Sequence, residues 1–102
     1  MNILLACGAG LSTSILMKKM EKYCAAQGEE LKINAVPVGN IVDNVDAFEK
    51  DYDCVLIGPQ VSYRLDELKG MLSIPAAAIP SLDYAVGNAD KIMAMAHKIT
   101  GK

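Results

Sequence analysis

The sequence predicts an α/β fold: a four-stranded parallel sheet with helices on both faces. Three observations lead there. Short apolar runs alternate with amphipathic segments at spacings that suit repeated strand and crossover-helix units. Gly28 and the Gly58-Pro59-Gln60 triplet interrupt the chain where one element should give way to the next. The first apolar run ends at Cys7-Gly8-Ala9-Gly10, a glycine-bearing turn that leads directly into helical periodicity, as the carboxyl end of a parallel strand does. With 102 residues, 52% of them hydrophobic, the chain supplies one core and one domain, residues 1–102.

The elements follow in order. Strand one is expected at about Asn2 to Ala6, and helix one from about Thr13 to Gln27, where Leu16, Met20, Tyr23, Cys24 and Gln27 share a face. Gly28 stops that helix. Strand two is about Leu31 to Pro37, and helix two about Ile41 to Lys50, with Val42, Val45 and Phe48 or Glu49 competing to define its buried side. Cys54 to Gly58 is strand three, and a helix from about Val61 to Met71 follows its Gly-Pro break. Ile74 to Ile79 is strand four, Pro80 to Gly87 a loop, and the last helix runs from Asn88 or Ala89 to Ile99, with Asn88 as its cap. Right-handed crossovers place strand one centrally, in the order 2-1-3-4, a flavodoxin-like arrangement with its switch point between strands one and three. Cys7 lies at that point. The loops at 58–60 and 80–87 leave the same edge of the sheet.

Composition excludes several roles. A net charge of −2, with Arg64 the only arginine and no basic run, offers no surface for a nucleic-acid backbone, which needs clustered cations. No apolar stretch reaches the roughly 20 residues that cross a bilayer, and the first strand is too short for a signal sequence, so a cytoplasmic protein is expected. Three cysteines without Cys-x-x-Cys spacing indicate reduced thiols, neither a disulfide framework nor a zinc site.

The Cys7 loop is built for an anion. Glycines let backbone amides turn inward, and the helix that follows adds the positive end of its dipole, which stabilises a thiolate or a phosphoryl group carried on the sulfur. A nucleotide-binding loop would need lysine then Ser or Thr after its second glycine, whereas Gly10 is followed by Leu11 and Ser12. Lys18 and Lys19 lie more than a helical turn too far along. The candidates to hold phosphate are thus the segment Gly8, Ala9, Gly10, Leu11, Ser12, Thr13 and Ser14, through amides and hydroxyls. Each of the three hydroxyls serves equally well as a helix cap. A cysteine followed by five residues and an arginine is the arrangement of the low-molecular-weight tyrosine phosphatases, on a similar fold. Here Thr13 stands at the arginine position. Without a guanidinium, attack by water on a phosphocysteine is slow, and the loop reads as a carrier.

Three ordered segments carry a family resemblance: Ile3-Leu4-Leu5-Ala6-Cys7 with Ala9 to Ser14, Leu56-Ile57-Gly58-Pro59-Gln60-Val61 with Tyr63 and Leu65, and Ile79-Pro80 with Asp83-Tyr84. Across nearly its whole length the chain resembles the cytoplasmic B component, enzyme IIB, of the bacterial phosphoenolpyruvate-dependent sugar phosphotransferase system, of the lactose, cellobiose and chitobiose type. The resemblance implies that Cys7 is the phosphorylated nucleophile. It would receive the group from a phosphohistidine on enzyme IIA and pass it to a sugar held by the membrane enzyme IIC, a β-linked disaccharide such as cellobiose, chitobiose or lactose. No cofactor or metal is implied, and a monomer suits a subunit that shows one face to successive partners. Ala85 and Val86 depart from the family's usual glycine and bulky residue after Tyr84. Two other readings stand beside this one: a cysteine-dependent phosphatase or arsenate-reducing relative, and a non-enzymatic flavodoxin-like interaction module.

Other residues have competing accounts. Pro59 and Gln60 either shape a second loop or touch a partner, and Asp83 and Tyr84 either stabilise their loop or face substrate. Ala9, Leu11 and Met17 are candidates for an open apolar rim around the sulfur, or else belong to the core. Cys24 and Cys54 read as small core residues. His97 sits where an imidazole serves the helix dipole or solvent, and Arg64 is either a docking contact or a solvated helix residue.

Overall fold

The computed structural model describes residues 1–8 and 11–102, and their side chains except at 11 and 12. In chain order the elements are β1 (Asn2–Cys7), α1 (Leu11–Ala26), β2 (Lys32–Pro37), α2 (Val38–Asp43), α3 (Val45–Asp51) and β3 (Cys54–Ile57). A 3₁₀ helix (Pro59–Arg64), α4 (Leu65–Met71), β4 (Ala76–Ala78), α5 (Ser81–Val86) and α6 (Ala89–Thr100) complete the chain. The four strands pair in parallel in the order β2-β1-β3-β4, the order the crossover rule predicts.

β1 and β3 read as unbroken apolar runs because both of their faces are covered. Ile3, Leu5, Cys54 and Leu56 face a layer made by Leu16, Met20 and Cys24 of α1 with Ile92, Met93 and Ala96 of α6. Leu4, Ala6, Val55 and Ile57 face the opposite layer, where Val38 and Ile41 of α2 meet Val61, Leu68 and Leu72.

α1 ends as predicted at Gly28, whose φ is +71°. There the amides of Gly28 and Glu29 donate to the carbonyls of Ala25 and Cys24, closing the last turn and leaving Gln27 exposed, off the predicted face. The single helix predicted over 41–50 is two. Asn44 donates from its side-chain amide to the Asn40 carbonyl, the acceptor its own N–H would use in a continuous helix, and that N–H turns to Ile41 instead. The helix predicted from Val61 begins earlier as a 3₁₀ turn at Pro59, because proline suits a first helical position. Buried Val61 (φ −122°, ψ 17°) then kinks the chain before α4. β4 keeps only three of the residues between Ile74 and Ile79; Pro75 has no amide to give.

The predicted loop 80–87 contains α5. Pro80 and Gly87, read from the sequence as turn markers, are the two ends of a short helix, with Gly87 left-handed at φ 68°. Asn88 precedes α6 as predicted but makes no side-chain cap; its side-chain amide and its backbone amide donate to the side-chain and backbone oxygens of Asp83 at 2.9 Å.

At the amino-terminal edge of the sheet both chain ends are clasped. The Met1 ammonium donates to the Glu30 carbonyl at 2.8 Å. Asp53 accepts the Asn2 amide on one oxygen, at 2.8 Å, and the Lys102 ammonium on the other, at 2.6 Å. Among the described residues no helix is long and apolar enough to cross a membrane.

Candidate functional site

The opposite, carboxyl-terminal edge gathers the candidate residues. Cys7 is the last residue of β1, level with Pro37 of β2, and this register sets its sulfur beside the β2 main chain. The Cys7 S–H donates to the Val36 carbonyl, with 3.4 Å between Sγ and the oxygen. Cys7 is 4% exposed, its thiol drawn down against the sheet by the strand register. Of the rim candidates, Met17 is half-buried and packs against the α1–α6 layer, which gives it the core role. Ala9 and the side chain of Leu11 lie outside the described residues, as do Gly10 and the side chain of Ser12.

Gly8 is exposed and is not among the described residues with positive φ; a Cβ there would lie 3.6 Å from Val61 Cγ1, an ordinary contact. The inward turn of the backbone that the sequence assigned to this glycine is therefore not a requirement at position 8. Gly58 is different. Its amide donates to the Ala6 carbonyl, continuing the β1–β3 ladder, and a Cβ would lie 3.2 Å from Gln60 Oε1 and 3.6 Å from Tyr84 Cε2. Glycine here lets the Tyr84 ring come close over the end of β3.

Because α1 begins at Leu11 rather than Thr13, Thr13 and Ser14 lie inside its first turn, past the capping position. Thr13 is 1% exposed and its Oγ1 is 3.2 Å from the Tyr84 hydroxyl, a hydrogen bond between residues 71 apart in sequence. Ser14 is exposed. First-turn amides have no acceptor within their own helix, so the amino end of α1 favours an anion.

The remaining candidates separate. Asp83 is held by Asn88 and stabilises the α5–α6 corner, the bland reading. Pro59 starts the 3₁₀ helix and accepts the Ser62 hydroxyl on its carbonyl, while Gln60 is exposed beside Gly58. Arg64, the last residue of the 3₁₀ helix, pairs with Glu67 in the first turn of α4. Lys19 reaches α5, where its ammonium donates to the Val86 carbonyl at 3.2 Å. His97 Nε2 meets both oxygens of Glu29, tying α6 to the turn after α1, so its partner is a carboxylate rather than solvent. Cys24 and Cys54 are buried in the core, as predicted. Burial, then Glu29, raises the Cys24 thiol, and burial, then Asp53, pushes Cys54 up to about 11.

Three exposed apolar side chains on α1 and α5 were not anticipated from the sequence. Ile15 of α1 and Leu82 and Val86 of α5 are all more than half or half uncovered. Ile15 carried the available signal, since it stands off the Leu16–Met20–Cys24 stripe. Among the described residues no group of three or more His, Cys, Asp or Glu is arranged to hold a metal.

Residues 2–95 match the family model described as "PTS system, Lactose/Cellobiose specific IIB subunit". Similar proteins include the galactose-specific EIIB component of Lactococcus lactis subsp. cremoris (strain MG1363), 35% identical, the alignment spanning 95% of this chain and 94% of the relative. The cellobiose-specific EIIB component of Lactococcus lactis subsp. lactis (strain IL1403) matches to the same extent, 35% over 95% and 94%. The oligo-beta-mannoside-specific EIIB component of Bacillus subtilis (strain 168) is 36% identical over 87% of this chain and 85% of its own. Among solved structures, that of the cellobiose-specific phosphotransferase IIB component protein from Borrelia burgdorferi superposes with a TM-score of 0.76 and 33% identity. The match covers 99% of this chain and 92% of that one.

Proposed function

Because the chain belongs to the lactose/cellobiose-specific IIB family of the sugar phosphotransferase system, and is thus a phosphotransferase, we propose that Cys7 is the residue that carries its phosphoryl group. The observation that supports this most is the place of Cys7: the last residue of the central strand, at the switch point of the sheet, immediately before the amino end of α1.

The Cys7 thiolate attacks phosphorus in line, opposite the imidazole nitrogen of a phosphohistidine on enzyme IIA. The P–S bond forms as the P–N bond breaks, and the imidazole leaves with the electron pair. First-turn amides of α1 and amides from Gly8 onward hold the phosphoryl oxygens, with Ser12, Thr13 and Ser14 as hydroxyl donors. In the thiol form the S–H is committed to the Val36 carbonyl; once the proton leaves, that carbonyl repels the sulfur, which turns toward the amides. Loss of the thiol proton to solvent thus both activates the nucleophile and releases it. The absence of a guanidinium at Thr13 leaves water a poor competitor, so the group waits for its acceptor.

The acceptor is a hydroxyl of a sugar held by membrane enzyme IIC, a β-linked disaccharide of the cellobiose, chitobiose or lactose kind, and the protein works in the cytoplasm as a single-domain monomer. Pro59, Gln60 and Tyr84 lie at the edge that both partners must approach. Incubation with phosphorylated enzyme IIA is expected to add one phosphoryl group to the protein, located on Cys7 by peptide mass spectrometry. Cys7→Ser is expected to abolish transfer to sugar; a Cys7→Ser protein working at the parent rate would end the proposal.

A further inference from the structure

The geometry points to Tyr84 as a positioning residue for phosphoryl transfer, acting through Thr13, an inference that rests on Cys7 being the carrier. Tyr84 joins the ends of three strands. Its own helix, α5, follows β4; its ring lies against Gly58 after β3; and its hydroxyl meets Thr13 in the first turn of α1, the element that follows β1. Gly58 in turn donates to the carbonyl of Ala6, the residue before Cys7.

α5 is a firm base for this contact. Gly87 ends it in the left-handed conformation, Asn88 grips Asp83 in it, and the Lys19 ammonium holds its last carbonyl from α1. Thr13 needs such a base. A threonine in a helix divides its hydroxyl between two rotamers, and here that hydroxyl is shut away from water, so a protein group must choose. Tyr84 chooses the rotamer directed toward α5.

A hydroxyl donates once and accepts twice. With a phosphoryl dianion on Cys7, the pair orders itself so that Tyr84 donates to Thr13 and Thr13 donates toward the negative oxygens. No proton is transferred and no bond is made or broken in this step. Its effect belongs to the transition state, where charge spreads over the equatorial oxygens, and so to the transfer rate rather than to docking of the donor.

The test follows transfer from phosphorylated enzyme IIA in the full chain, together with the unfolding midpoint. Tyr84→Phe removes only the hydroxyl and is expected to lower kcat about tenfold with KM for the donor unchanged. Thr13→Val is expected to do the same, the double variant to be no slower than either single one, and Thr13→Ser to recover most of the rate that Thr13→Val loses. Tyr84→Phe at the parent rate, a loss confined to KM, or losses that multiply in the double variant would overturn the inference. If Thr13→Val fails to fold, Tyr84→Phe and Thr13→Ser decide the matter. A parent protein that takes no phosphoryl group on Cys7 overturns the carrier reading and this inference with it; a phosphorylated parent matched by Tyr84→Phe overturns the inference alone.

Discussion

The three thiols of this small chain differ in their surroundings, and the surroundings decide what each can do. Cys54 is buried under the α1–α6 layer and beside Asp53, so its proton is held up to about 11 and it is inert at neutral pH. Cys24 is raised in the same direction, by burial first and Glu29 next. Cys7 alone ends a strand at the amino end of a helix. The carboxylate of Asp53 shows the converse behaviour: the Asn2 amide first, and then the Lys102 ammonium, hold it below the usual carboxylate range. A folded-state value below the unfolded one of about 3.9 adds stability above that pH, and the addition is lost as pH falls through the lower, folded value. Asp53→Asn keeps an oxygen for the Asn2 amide but cannot ionise. Its urea midpoint is therefore expected to fall less than that of the parent between about pH 5 and pH 2; parallel curves would refute the linkage.

At the scale of elements, two glycines in short helices should respond in opposite directions. Gly87 closes α5 at positive φ, and a Cβ there would lie 2.5 Å from Lys19 Cδ. Gly87→Ala is expected to cost about 1–2 kcal/mol, through the left-handed backbone rather than through the flexible lysine, which can move. Gly70 lies within α4 with nothing within 4 Å of a Cβ, and Gly70→Ala is expected to stabilise by about 0.5–1 kcal/mol. Urea denaturation of both variants checks the signs. The elements that the sequence revealed are those with a strong period or a continuous apolar run, such as α1, α6 and the central strands. What it concealed was settled by single side chains acting against local pattern: Asn44 taking its own helix's acceptor, Val61 tucking under the chain, and a proline and a glycine bounding a helix instead of a turn. The site divides in the same way. The place of Cys7 at a strand end ahead of a helix was legible because those elements are contiguous in sequence, whereas the Thr13–Tyr84 bond joins distant segments that no local spacing connects.

For the whole molecule, a sheet covered on both faces leaves only its two edges open to pairing. β4 has three residues, with Pro75 before it and Pro80 just after Ile79, and β2 carries exposed Lys32 and Asn34 and ends at Pro37. Short, charged and proline-bounded edges resist strand addition. Sedimentation velocity is expected to show a monomer well above the concentrations of a transfer assay, and a dimer would show that some other surface associates. The clasp of Met1 and Lys102 adds a practical dimension. Both ends of the chain are pinned at the amino-terminal edge, roughly 17 Å of strand away from Cys7. A bead, fluorophore or fused neighbour attached beside Met1 or Lys102 would trail off the far side, leaving the edge that carries Cys7 unobstructed while the molecule is held by its tail.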